Sequence, residues 1–232
     1  IRYHIVNVDL MLLRRIYKKL FIGPVFKIEK ISNLKYLKSG LFEQSGLINQ
    51  TNYLVIVPGL VFRYDTRDQV TSSFKGYFTE LSVKRSIPVT GENFHFTELG
   101  VDLRVFLPLF RYKRDVLAFQ FLSKGATGNI PFRLFPNINA RAYHPNLYRE
   151  NALWSFQSEY RFCLWRWLFV SAFGGVSQIS QAFSEFSHSP VFINGGGGLR
   201  IRVSEKYNTF LRIELGFGKN ASNFYVAFYD AF

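Results

Sequence analysis

PNINARAYHPNLYRENALWSFQSEYRFC, residues Pro136 to Cys163, decides the fold. Its first half has no sustained period and reads as a long loop that folds back. Its second half alternates. From Trp154 to Leu164, the residues Trp154, Phe156, Tyr160, Phe162 and Leu164 fall on one face, with Ser158 the exception. Ser155, Gln157, Glu159, Arg161 and Cys163 fall on the other. A period of two is a β-strand, and one apolar face with one charged face means two different solvents. Water on the charged face and a protein core on the apolar face would make a sandwich strand. Lipid on the apolar face would make a membrane strand. The rest of the chain favours lipid.

Aromatic residues make up 18% of the 232 residues, with 26 Phe and 13 Tyr. Such a share suits strands whose outer face carries aromatic girdles. Charged residues are 19% and mean hydropathy is near zero, a balance that fits neither a disordered chain nor a helical membrane protein. No run of apolar residues is long enough for a transmembrane helix. Cys163 is the one cysteine, so the chain forms no internal disulfide and no thiolate cluster. His4, His95, His144 and His188 have no metal-ligand spacing. No metal or cofactor is expected. The net charge is +13, but the basic residues stand singly at alternating strand positions and in turns. That is not a nucleic-acid stripe. It suits lipid phosphates at the membrane edges and a cationic interior.

The expected fold is all-β: a transmembrane antiparallel β-barrel, residues 1–232 forming one domain. Eleven strands are legible, near 2–13, 19–32, 51–65, 75–87, 94–108, 114–124, 151–164, 166–178, 191–204, 208–217 and 222–232. In the fifth, Leu99, Val101, Leu103, Val105 and Leu107 oppose Glu98, Asp102 and Arg104. In the ninth, Leu199, Ile201 and Val203 oppose Arg200 and Arg202; in the tenth, Leu211, Ile213 and Leu215 oppose Arg212 and Glu214. So many charges on one face predict a wet interior with cross-strand ion pairs rather than a dry core. Long loops at 33–50, 125–150 and 179–190 alternate with short connections, as extracellular loops and periplasmic turns do in outer-membrane barrels.

Phe224, Val226, Phe228 and Phe232 share one face of the last strand. A terminal aromatic on such a strand places it at the periplasmic end. Both ends of the chain then belong on the periplasmic side, so an even count is expected: twelve strands, the missing one lying before Ile1 or within 33–50. Pro24 and Pro58 predict bulges. Gly195–Gly198 predicts a bend or a close backbone approach, since no helix follows to make a phosphate loop.

GLVFRYDTRDQVTSSFKGYFTELSV (Gly59–Val83) resembles the YDTRD…KGY hairpin of the bacterial surface-antigen superfamily, the BamA and TamA type of outer-membrane assembly barrel. NARAYHPNLYRENALWSFQSEYRFCL resembles its lid loop and the strand that follows, and GGGLRIRV…FLRIELGFGK…FYVAFYDAF its last three strands. The resemblance covers about residues 51 to 232. It implies a short member with fewer strands than the family's usual number and no periplasmic POTRA modules within this chain. It also implies a lid, Arg141–Ala142–Tyr143, folded inward, with Arg141 paired to Glu159. Two positions depart from the motif: Ala142 stands for its glycine, and Phe173 for an aspartate that partners the arginine. Asp65, Arg67 and Asp68 read as a periplasmic turn held by side-chain bonds to backbone. Trp165 and Trp167 read as interface anchors.

The expected function is outer-membrane biogenesis, assisting protein insertion or lipid organisation through a weak seam between first and last strands. The expected location is the outer membrane. The partners are outer-membrane lipids, with unfolded outer-membrane proteins or periplasmic accessory proteins, and the chain is read as a monomer. The alternative is a passive or plugged anion-favouring pore. No nucleophile, histidine and acid stand at enzymatic spacing, and no G-x-S-x-G elbow is present.

Overall fold

The structure, a computed structural model, describes residues 2–35, 52–90, 93–109, 114–144, 147–229 and 232. Thirteen strands follow in order: β1 (Arg2–Met11), β2 (Arg14–Tyr17), β3 (Leu20–Lys35), β4 (Tyr53–Asp65), β5 (Gly76–Arg85), β6 (Ile87–Thr90), β7 (Phe96–Pro108), β8 (Val116–Gly128), β9 (Ala152–Trp165), β10 (Leu168–Ser180), β11 (Val191–Ser204), β12 (Thr209–Gly218) and β13 (Ala221–Ala227). They form one sheet in the order β1-β3-β4-β5-β7-β8-β9-β10-β11-β12-β13, with β2 paired to β3 and β6 to β4. Eleven strands on the path match the eleven legible regions. The expected twelfth is absent from the path among the described residues, and residues 36–51, its alternative place, lie outside them. The two added strands are short: β2 occupies a stretch expected to be a turn, and β6, apart from Ile87, a stretch expected to be a connection. No helix among the described residues is long and apolar enough to cross a membrane.

Pro24 sits where the partner of β3 changes. Met11 pairs with Val25 on one side of it and Arg14 with Ile22 on the other. Between them the Leu12 N–H donates to the Pro24 carbonyl, 3.1 Å away. The backbone comes so close here that a Cβ on Gly23 would lie 1.8 Å from the Leu12 carbonyl oxygen. The register is the same on both sides of the gap, so the expected bulge is absent: the residue without an N–H interrupts the ladder and adds no extra residue to it.

The described chain divides into two compact units. The first holds residues 1–62, 81–100 and 125–135. Its buried face is hydrocarbon: Ile31, Val55, Val57, Phe94, Phe96, Ile130 and Leu134 cluster with Tyr53. The buried Glu29 accepts a 2.5 Å hydrogen bond from the Tyr53 hydroxyl. The second unit holds residues 63–80, 101–124 and 136–232. Its buried face is ionic.

Strand β9 shows the inversion plainly. Ser155, Gln157, Glu159 and Arg161 are buried, while Phe156, Phe162, Leu164 and Trp165 are exposed. Leu199, Leu215, Phe217, Phe224 and Val226 are exposed on the neighbouring strands. A soluble protein does not expose rows of large apolar side chains over buried charges. The pattern matches that of outer-membrane strands, which carry their apolar side chains outward.

The last residue departs from expectation. Phe224, Val226 and Phe228 are 57–58% exposed, but Phe232 is 6% exposed and clusters with Phe106, Val116 and Ala118. The cause is local: β13 ends at Ala227, so the alternation that would have turned Phe232 outward stops before it.

Candidate functional site

Residues 136–150 fold back on themselves, as the sequence predicts. The Ile138 N–H donates to the Tyr148 carbonyl and the Glu150 N–H to the Pro136 carbonyl, both at 3.1 Å, and Asn137 bridges to Arg149. A tight turn, with the Tyr143 N–H on the Ala140 carbonyl at 3.0 Å, presents Arg141, Ala142 and Tyr143 to β9–β12, and all three are buried.

Arg141 reaches two acids. Its Nη1 lies 2.5 Å from Glu159 Oε2 on β9 and 3.1 Å from Glu214 Oε2 on β12. Glu159 also receives Arg161 Nε at 2.6 Å and an ion pair from Arg200. Glu214 also receives Arg212 Nη1 at 2.9 Å and lies 3.5 Å from Arg200 Nη2. Four guanidinium groups therefore close around two carboxylates whose side chains are 0% exposed. Burial at this level is tolerable only because each acid has several partners.

Phe173 explains how the clamp works without the motif's aspartate. Glu159 pairs with Phe173 across β9–β10, which places the ring under the lid. The Arg141 guanidinium carbon lies 3.7 Å from the Phe173 ring centroid and 5.7 Å from that of Phe232. A ring face attracts a desolvated cation by its quadrupole. The resemblance implied an acid there; the chain uses an aromatic face, with Glu214 as the second acid.

Glycines on β12 make the seat. A Cβ on Gly216 would lie 2.7 Å from the Arg141 carbonyl oxygen, and one on Gly218 would lie 2.6 Å from Cζ of Tyr143. The Tyr143 hydroxyl donates to the Ile193 carbonyl at 2.8 Å and accepts from the Lys219 N–H at 3.1 Å, so the tip of the lid bridges two strand ends. Its ring stands edge-on to Tyr148 and Phe192, each 5.8 Å away. Ala142, where the motif has glycine, is buried without disturbing this seat.

Asp65, Arg67 and Asp68 form a separate turn and do not join the clamp. Arg67 is bidentate on Asp65, at 3.0 and 2.8 Å, and its own N–H donates to the same carboxylate at 3.1 Å. Asp68 Oδ1 accepts from the N–H groups of Gln69, Phe74 and Lys75 at 3.0–3.2 Å. These oxygens are occupied by the turn itself, as the sequence reading expects. Trp165 and Trp167 stack, 6.1 Å apart and both exposed, on the turn between β9 and β10.

Sequence reasoning brings Arg141 to Glu159 but misses Glu214, Arg161, Arg200 and Arg212 as clamp members. All four lie on faces already read as charged. The missing knowledge is register: Glu159 faces Phe173, Phe173 faces Gly196, and Gly196 faces Gly216 next to the lid.

No family model matches the chain, and no curated protein matches it in sequence. Among solved structures it is similar to BamA from Haemophilus ducreyi lacking POTRA domains 1–3, with a TM-score of 0.61 and 11% identity. The match covers 93% of this chain and 50% of that one, so the chain spans half the length of the structure it resembles. The likeness is one of fold: the chain is an all-β antiparallel sheet of the kind that forms the BamA barrel.

Proposed function

We propose that the chain is an outer-membrane β-barrel of the BamA-like kind whose lid is clamped by Arg141, and that it acts in outer-membrane biogenesis at the edge strand β13. The observation that carries this reading is the contrast between lid and edge. The lid is held by two acids, an aromatic face and a glycine seat. The edge is a seven-residue strand whose ladder with β12 ends at Arg212 and Ala227. A short end strand exposes backbone donors and acceptors that an incoming strand can pair with. Such an edge also disturbs the lipid around it, so insertion of outer-membrane proteins and organisation of lipid are two outlets of one feature.

The test is reconstitution of the full chain into liposomes and measurement of the folding rate of an unfolded outer-membrane protein. Acceleration that Arg141→Ala alters supports the reading. No acceleration with folded wild-type protein removes insertion. A second reading, a plugged anion-favouring pore, draws on the four arginines facing two glutamates under the lid. An anion conductance that rises in Arg141→Ala, with no effect on client folding, would favour it.

A further inference from the structure

We propose that Arg202 on β11, with Lys75, Arg114 and Arg166 beside it, forms a binding site for a phosphate-type oxyanion, supplied by a lipid headgroup. Three guanidinium groups converge on one carboxylate oxygen. Arg166 Nη2, Arg202 Nη1 and Arg114 Nη1 lie 3.2, 3.8 and 3.9 Å from Glu205 Oε1. One negative charge is thus set against three positive ones.

Arg202 differs from the other two. Arg166 and Arg114 are open to solvent, whereas the Arg202 side chain is 5% exposed. Its guanidinium lies among the rings of Phe74, Phe169 and Phe210, with centroids 5.8, 5.4 and 5.1 Å away. Among the described residues its Nε and Nη1 have no hydrogen-bond partner. A desolvated arginine with unused donors is costly unless something accepts from them. Beside it lies a pocket of about 680 Å³, lined by Phe74, Lys75, Arg114 and Arg202 together with Asp68 and Glu205. Asp68 is engaged by the backbone of its own turn. The cations therefore dominate the space, and planar guanidinium groups match tetrahedral oxyanions two oxygens at a time.

The stacked Trp165–Trp167 pair fixes the level of the pocket. The Trp167 carbonyl accepts the Arg202 N–H at 2.7 Å. Exposed indoles sit at the headgroup level of a bilayer, where phosphodiesters are the abundant anion. The oxyanion site rests on side-chain geometry alone; only its lipid source rests on the membrane reading given above.

The experiment uses the full chain in detergent micelles. Inorganic phosphate is titrated by calorimetry, and in parallel retention of phosphatidylglycerol and of a phosphate-free diacylglycerol is followed by native mass spectrometry. Lys75→Ala/Arg114→Ala is expected to weaken phosphate-group binding by about tenfold or more, as loss of charge-assisted bonds does. Glu205→Gln is expected to tighten it by removing the competing acid, a gain that misfolding cannot imitate. Lys19→Ala, exposed and outside the pocket, is the control. Retention of phosphatidylglycerol alone supports the headgroup source. Binding of inorganic phosphate without lipid retention keeps the site and overturns the lipid source. Equal binding by wild type and the double variant, or an equal loss in Lys19→Ala, overturns the site.

Discussion

One long loop is held in two ways. Its first part, ending at Phe135, enters the apolar cluster of the first unit, where Ile130 and Leu134 pack with Val55, Val57 and Phe94. Its second part, from Pro136, enters the ionic face of the second unit, where Arg141 meets Glu159 and Glu214. Hydrocarbon tolerates exchange among residues of similar volume and gives little directionality. A buried ion cluster is the opposite. It fixes one geometry, and losing one member leaves the others stranded. The lid is therefore the part of the loop that is specified residue by residue.

The comparison breaks most sharply at Glu159. Glu159→Ala removes the acceptor shared by Arg141, Arg161 and Arg200 and is expected to cost about 3–5 kcal/mol, the scale of a broken buried ion pair. Urea unfolding of the micelle-folded protein measures it, and a cost no larger than that of a surface change would refute the clamp. Leu134→Ala tests the other half: about 2–3 kcal/mol is expected from a cavity in the apolar cluster. Hydrogen exchange should quicken over residues 130–135 and stay slow at Arg141–Tyr143. Joint loosening of both stretches would mean that the two halves are not independent. Phe173→Leu is the finest cut. It keeps an apolar side chain and removes the ring face, at about 1–2 kcal/mol for a desolvated cation–π contact. Protease cleavage at the lid should rise modestly, and an unchanged rate would show that the two acids suffice.

The strands were legible because an apolar face and a polar face impose a strict period of two, and Trp154–Cys163 carries it with little interruption. Arg141 and Glu159 were legible through a motif. Glu214 was legible only as a charge on a face, because its partners Arg141 and Arg200 lie on the lid and on the next strand and register does not show in a single strand. Phe232 was misread because the alternation was extended past Ala227, where the ladder stops. The aromatic substitute at Phe173 looked like the loss of a partner, since a ring does not register as an ion's neighbour until its distance to the guanidinium is known.

Gly196 and Gly198 carry a consequence for anyone transplanting this clamp to another scaffold. A Cβ on Gly196 would lie 2.5 Å from Cζ of Phe173, and one on Gly198 would lie 2.6 Å from Cγ of Glu214. The strand between the two walls is left blank so that side chains from either neighbour lean across it toward the same guanidinium. One methyl group there would silence the clamp with every charge still in place. An engineer who grafts only the arginine and its acids would copy the letters and lose the page they are written on; the blank strand has to be installed first.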